Sequence, residues 1–186
     1  MPILDKERDL YPADLLQRQD IGLEQDRCWW ALYTMSRREK ELMRRLLALE
    51  IPFYCPIIRQ LHRSPAGRLR TSYLPLFPNY VFVYGDTEDR YNSYTTNCIS
   101  RDIKVTDGIQ LTNDLRQLQK LILADVPLTR ESKLELGQSV RIKTGAFKDF
   151  EGYIVRREGH TRLLIAVNFL QQGASVLLED CEVEPT

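Results

Sequence analysis

Two histidines, four cysteines and a crowd of arginines are the side chains of this sequence with chemistry to offer. His62 and His160 sit in predicted turns, around Ser64-Pro65-Ala66-Gly67 and Glu158-Gly159-His160, with no recognisable pattern of nucleophile, base and acid about them. A general base needs such a partner within hydrogen-bond reach. Neither a phosphate-cradling glycine loop nor an H-E-x-x-H pattern occurs. Cys28, Cys55, Cys98 and Cys181 are far apart, whereas thiolate zinc sites draw ligands in closely spaced pairs. They read as reduced, mostly buried thiols. Glu131 and Glu135 pair two acids, but in a polar connector where carboxylates keep the chain solvated. The sequence predicts no enzyme, no metal ligands and no cofactor.

The arginines offer a different chemistry, contact with polyanions. A formal net charge of zero conceals an uneven distribution. Residues 1–27 hold seven acids and four bases, and residues 28–84 hold nine bases and three acids. Residues 85–136 and 137–186 are mildly acidic, at −2 and −1. A basic region in a neutral chain suits a phosphate backbone, although a solvated, salt-bridged face has the same composition. Its members fall into two groups: Arg37, Arg38, Arg44 and Arg45, and a second set running from Arg59 to Arg70 that includes Arg63 and Arg68. No run of eighteen apolar residues is present, and Met1 to Arg27 has charges throughout and no apolar core of a secretory signal. A cytoplasmic protein is the default expectation.

The elements that must position these groups follow from periodicity. Residues 1–27 show no sustained period and predict a mobile or loosely helical extension. Trp29 to Met35 is apolar on both alternating faces, as in a central strand. Ser36 and Glu39 have the spacing of a capping box, and Leu42, Met43, Leu46, Leu47 and Leu49 form the apolar stripe of a helix. Phe53 to Ile58 predicts a second strand, placed at a sheet edge by Pro56. Arg59 to Arg70 then makes a basic hairpin or loop. Tyr80 to Tyr84 is a strand with aromatics on one face and valines on the other. Residues 85–110 carry little pattern beyond a short strand at Ile103–Val105. Leu111, Leu115, Leu118 and Ile122 give a second helix to about Ala124, with Thr112 as its N-cap.

Residues 125–136 read as a linker, polar and without a period. After Gly137 the texture changes to five short strands at Ser139–Lys143, Gly152–Arg157, Arg162–Asn168, Ser175–Leu178 and Glu182-Val183, separated by glycine-bearing turns. The architecture expected is α+β: an antiparallel sheet flanked by helices over residues 28–124, then a small all-β barrel over residues 137–186.

Two motifs give this order a likeness. Val140-x-Ile142-x-x-Gly145-x-Phe147-x-x-Phe150-x-Gly152 resembles the KOW motif of SH3-like barrels, with Phe147 and Phe150 expected to plug the barrel. Pro75-Leu76-Phe77-Pro78-Asn79-Tyr80-Val81-Phe82-Val83, with the Trp29–Tyr33 strand before it, resembles the N-terminal domain of the NusG/RfaH family. Asn79 stands where NusG proper usually has glycine and matches the specialised paralog RfaH. The resemblance implies a transcription elongation or antitermination factor, docked through Tyr33, Phe77, Pro78 and Tyr80 on the clamp helices of the largest RNA polymerase subunit. It implies that Arg37, Arg38, Arg44 and Arg45 meet upstream or non-template DNA, chiefly its phosphates, with Arg63 and Arg68 of the hairpin as further candidates. It matches Tyr94-Thr95-Thr96 to a polymerase gate-loop contact. It implies that Phe169 and Leu170 in the KOW domain bind the ribosomal protein NusE or the termination factor Rho. The protein is expected to be monomeric and to have no membrane partner. Two other functions fit the same motifs: a ribosome- or RNA-associated KOW protein, and a NusG-type factor that promotes pausing or Rho-dependent termination.

Overall fold

The computed structural model describes residues 6–21, 24, 26–65, 67–133, 137–178 and 182–186. Cys181, Glu135 and Ala66 lie outside the described residues. The chain divides into two compact units, residues 1–109 and 110–186.

The first unit begins with strand β1 (Leu10–Tyr11) and a 3-10 turn at Leu15–Gln17, followed by β2 (Cys28–Thr34) and helix α1 (Glu39–Ala48). Next come β3 (Phe53–Tyr54), β4 (Ile57–Arg63), β5 (Leu69–Pro75), β6 (Tyr80–Gly85), helix α2 (Thr87–Tyr94) and β7 (Ile99–Lys104). Five of these strands form one sheet in the order β1-β3-β6-β2-β7, antiparallel throughout. The alternating pattern of Tyr80 to Tyr84 resolves as expected. Val81 and Val83 pack with Leu32, Phe53 and the α1 stripe of Leu42, Met43 and Leu46, while Tyr80, Phe82 and Tyr84 take the opposite face. Each fully buried α1 side chain contributes roughly 1.5–3 kcal/mol.

Four expectations for this unit change. The extension is ordered from residue 6 to residue 21: Leu10 and Tyr11 pair with Tyr54 and Phe53, and Leu15, Leu16 and Ile21 are buried. Their apolar burial is what a mobile tail lacks. Phe53–Ile58 is not one edge strand; β3 stops at Tyr54, and β1 takes the edge beyond it. The polar stretch holds helix α2, started by a capping box in which Asp86 and Asp89 exchange side-chain and backbone bonds. The Ser36/Glu39 box does not form: α1 starts at Glu39 with Arg38 at its N-cap and no side-chain cap.

The second unit holds residues 110–123 of helix α3 (Gly108–Leu123), then β8 (Leu128–Glu131), β9 (Gln138–Ile142), β10 (Glu151–Arg157), β11 (His160–Val167), a 3-10 turn at Asn168–Leu170, β12 (Gln172–Leu177) and β13 (Val183–Pro185). Its six strands make one antiparallel sheet in the order β13-β9-β10-β11-β12-β8. Thr112 is no cap; it is buried inside α3, whose start lies at Gly108. The expected linker is part strand. Leu128–Glu131 pairs with β12, held by Glu131 Oε1, which accepts the Ser175 hydroxyl at 2.7 Å, and by Arg162, which donates to Thr129 Oγ1 at 2.8 Å. The helix also joins this unit earlier than expected. Asp114 Oδ2 accepts the Asn168 N–H at 3.1 Å, and Gln117 Oε1 accepts the Glu151 N–H at 2.9 Å.

Val140, Ile142, Val155, Leu163, Ile165, Val167 and Val176 are buried in this unit. Phe147 and Phe150 do not plug it; they are half-buried and meet edge to face at 6.0 Å. Gly152 is required where it stands, since a Cβ there would lie 2.5 Å from the Leu164 carbonyl oxygen. Gly145, at φ +88°, supplies the left-handed turn between β9 and β10.

Candidate functional site

Across the middle of the first sheet, antiparallel pairing puts directly opposed residues on the same face. Tyr33 is opposed by Tyr80 on β6 and by Arg101 on β7, so three side chains stand in one row. Further along the same face, Trp29, Ala31, Phe82 and Tyr84 are fully buried. At this end the face opens, and Tyr33 and Tyr80 are half-exposed, with exposed Pro78 and Met35 beside them in the chain. The tyrosine rings meet edge to face at 5.1 Å and 80°, and the Arg101 guanidinium lies over the Tyr33 ring at 4.7 Å. Such ring pairs hold each other in place without closing off their outer surface.

The corner before β6 is fixed by two bonds that link it to the rest of the domain. Asn79 is left-handed at φ +66°, a conformation asparagine tolerates better than most residues. Its N–H donates to Glu39 Oε1 at 2.7 Å, and its side-chain amide donates to the Tyr33 hydroxyl at 3.4 Å. Glu39 is itself buried, so the carboxylate that looked like half of a capping box is committed to a tertiary bond instead. The Thr34 N–H donates to the Asn79 carbonyl at 2.8 Å, just past a register shift between Tyr33 and Thr34.

Of the four residues expected on the docking face, the structure brings Tyr33, Tyr80 and Pro78 to the surface. Phe77 is different: at 1% exposure it is core, and it anchors the corner from beneath. A buried ring cannot meet a partner, so its placement on the face is corrected. The sequence missed Arg101 and Glu39, whose roles arise from strand register and from a contact forty residues apart in sequence.

The α1 arginines are exposed but mostly engaged. Arg38 and Arg45 both bind the Glu41 carboxylate, and Arg45 also donates to the Thr96 carbonyl at 2.7 Å. The Arg38 guanidinium, with Arg45 second, holds the Glu41 carboxyl below its ordinary value. Arg44 lies 3.8 Å from Glu7. Arg37, left-handed at φ +60°, has no ion pair among the described residues. The β4–β5 ribbon is a separate two-stranded sheet whose outer part is exposed on both faces. It carries Arg59, His62, Arg63, Arg68 and Arg70, with no acid anywhere between Ile57 and Pro75. Its tip is closed by Ser64, whose N–H donates to the Arg68 carbonyl at 2.8 Å.

The stretch matched to the gate loop closes helix α2, with Thr95 exposed. Tyr94 donates its hydroxyl to Asp102, while Thr95 and Thr96 donate theirs to the carbonyls of Asn92 and Ser93 at the end of α2. Thr96 is buried. Arg90 stacks over Trp30 at 5.1 Å and binds Asp102 through two bonds, of 2.7 and 2.9 Å, holding that carboxyl below its ordinary value. In the second unit, Phe169 and Leu170 are half-buried on the 3-10 turn that Asp114 caps.

Among the described residues no cluster of His, Cys, Asp and Glu could hold a metal ion, and no helix is long and apolar enough to cross a membrane. Cys55 and Cys98 are free, buried thiols, and burial pushes the Cys55 thiol far up.

No curated protein sequence matches this one. A chain from the crystal structure of the MjSpt4:Spt5 complex, conformation B, is 17% identical, with 85% of this chain and 97% of that chain covered and a TM-score of 0.29. A likeness that loose carries no argument. The family model described as transcription termination factor NusG matches residues 27–122, from the start of β2 almost to the end of α3 and over half the sequence, and the chain belongs to this NusG family of transcription factors.

Proposed function

We propose that the open end of the first sheet is the surface by which this protein rides on RNA polymerase, seated on the clamp helices of the largest subunit. The observation that carries the reading is the Tyr33–Tyr80 pair. In a NusG-family domain with an otherwise buried aromatic face, these two rings alone of the row are left half-open, and they are locked in position. A preorganised aromatic pair with Pro78 beside it suits a partner helix that brings its own apolar stripe. Phe77 and Glu39 support the corner from within.

The β4–β5 ribbon supplies nucleic-acid contact. Its unbroken positive charge favours phosphates of upstream or non-template DNA, with Arg63 and Arg68 at its outer end and Arg37 on the α1 side. Arg38 and Arg45 share the charge of Glu41 and take a smaller part.

The second unit acts as a KOW domain that recruits a further protein, NusE or Rho, through Phe169 and Leu170. Gly145, Gly152 and the six-stranded sheet support that reading. A body that bridges the clamp to DNA raises the free energy of the open, paused enzyme by differential binding, and so suppresses pausing or termination.

A single-round transcription assay with and without the protein tests this. Faster transit through pause and termination sites is expected. More pausing would instead assign it to the termination-promoting side of the family. No effect on polymerase, with sedimentation on ribosomes, would overturn the reading.

A further inference from the structure

Resting on the docking face just described, we propose that Arg101 reads an acidic side chain on the partner helix, so that this face selects a helix carrying a carboxylate beside its apolar stripe.

Arg18, Arg27, Arg38, Arg44, Arg45 and Arg90 each lie within ion-pair distance of an acid. Arg101, like Arg8, Arg37 and Arg63, does not among the described residues, and it differs from those three in standing in the row of Tyr33 and Tyr80. It is exposed, no anion meets it among the described residues, and its guanidinium is set down on the Tyr33 ring instead. Asp102 and Glu39, the acids beside Arg101 in the chain and behind the Asn79 corner, are both committed. Asp102, next in sequence, projects to the other face and binds Arg90 and Tyr94. Glu39 accepts the Asn79 N–H.

An arginine stacked on a ring keeps its planar fork of N–H donors free for a planar acceptor, and the stacking removes much of the rotamer freedom it would otherwise lose on binding. Arg101 is therefore a positioned cation without a counter-charge at the rim of an apolar patch. The complement is an amphipathic helix with an Asp or Glu next to its apolar side chains.

A nucleic-acid partner at this spot fits less well. One face of Tyr33 lies under Arg101 and so is taken from a stacking base, and Pro78 and Met35, exposed beside the two tyrosines in the chain, are apolar.

The test compares full-length wild type, Arg101→Gln, Arg101→Glu and the Tyr33→Ala/Tyr80→Ala double variant for binding to core RNA polymerase across a salt series. Unchanged tryptophan emission establishes that each variant is folded. Arg101→Glu is expected to weaken binding by about tenfold or more, the scale of one well-placed charge pair. Arg101→Gln should weaken it less and flatten the salt dependence. Reversing one clamp-helix acid to Lys should restore binding of Arg101→Glu. If both Arg101 variants bind like wild type while the tyrosine variant fails, the docking face stands and this proposal falls. If the tyrosine variant also binds normally, the docking face itself falls. If Arg101→Glu weakens binding to free DNA as much as to polymerase, Arg101 serves phosphates and the carboxylate proposal is overturned.

Discussion

Replacing Ser36 and Glu39 separately distinguishes two accounts of how helix α1 begins. If Ser36 and Glu39 formed a capping box, Ser36→Ala would cost about 0.5–2 kcal/mol. In the structure Ser36 is exposed and caps nothing, so its replacement should fall within about ±0.5 kcal/mol. Glu39 carries the load instead. Its carboxylate accepts the Asn79 N–H at 2.7 Å from a buried position, a bond to a charged group worth roughly 1.5–3 kcal/mol. It also sits in the first turn of α1, where a negative charge adds about 0.3–1 kcal/mol. Glu39→Ala should therefore cost roughly 2–4 kcal/mol, and Glu39→Gln, which keeps an acceptor, about half as much. Urea denaturation followed by tryptophan fluorescence is the assay, because Trp29 and Trp30 are the two tryptophans of the chain and both lie on β2. The signal thus reports the first unit alone. With a urea slope of about 2 kcal/mol per molar, Glu39→Ala should move the midpoint down by roughly 1–2 M. A larger loss from Ser36→Ala than from Glu39→Gln would refute this reasoning and restore the capping box.

Three further outcomes follow from other contacts. Asn79→Gly should leave stability within about 1 kcal/mol of wild type, since relief at φ +66° offsets the lost bond to the Tyr33 hydroxyl, whereas Asn79→Ala should lower it by about 1 kcal/mol or more; thermal melts separate the two. Asp102→Asn should cost about 1–3 kcal/mol at neutral pH. Arg90 depresses the folded-state value of the Asp102 carboxyl, so its contribution is fully present above the unfolded value of about 4 and disappears as pH falls through the folded one. Urea midpoints measured from pH 7 down to acid should thus converge for wild type and variant at the acid end. Gly152→Ala drives a Cβ to 2.5 Å from a backbone oxygen, and it should destabilise the second unit by more than about 2 kcal/mol while tryptophan-monitored unfolding of the first unit is unchanged.

The parts of this fold that were legible in the sequence are those where one period governs a whole segment. The two-faced strand at Trp29–Met35, the α1 stripe and the aromatic-valine alternation of β6 all express direct burial, and the structure buries most of their residues as read; Met35 and Leu49, at the ends of their patterns, are exposed, and Tyr33 and Tyr80 are half-buried. Helix α2 escaped because it is short and polar, and its box uses Asp at both positions. The N-terminal segment escaped because Leu10, Leu15, Leu16 and Ile21 have no regular spacing; they are anchored by tertiary contact and by pairing with β3. The docking face was half legible. Aromatic residues beside a Phe-Pro-Asn corner announce a surface, but nothing local says that Phe77 turns inward while Tyr80 stays out. Arg101 was invisible for a simpler reason. It meets Tyr33 only through the register of β2 against β7, across sixty-odd residues of chain.

The central claim is that the Tyr33–Tyr80 end of the sheet seats this NusG-family protein on RNA polymerase. Its most direct test is a titration of fluorescently labelled full-length protein with core RNA polymerase, read by anisotropy, for wild type and the Tyr33→Ala/Tyr80→Ala variant. Truncating an interface anchor costs at least about 2 kcal/mol, so the variant should lose affinity by about thirtyfold or more while keeping its tryptophan spectrum. Saturable binding of both proteins with the same affinity would contradict the account.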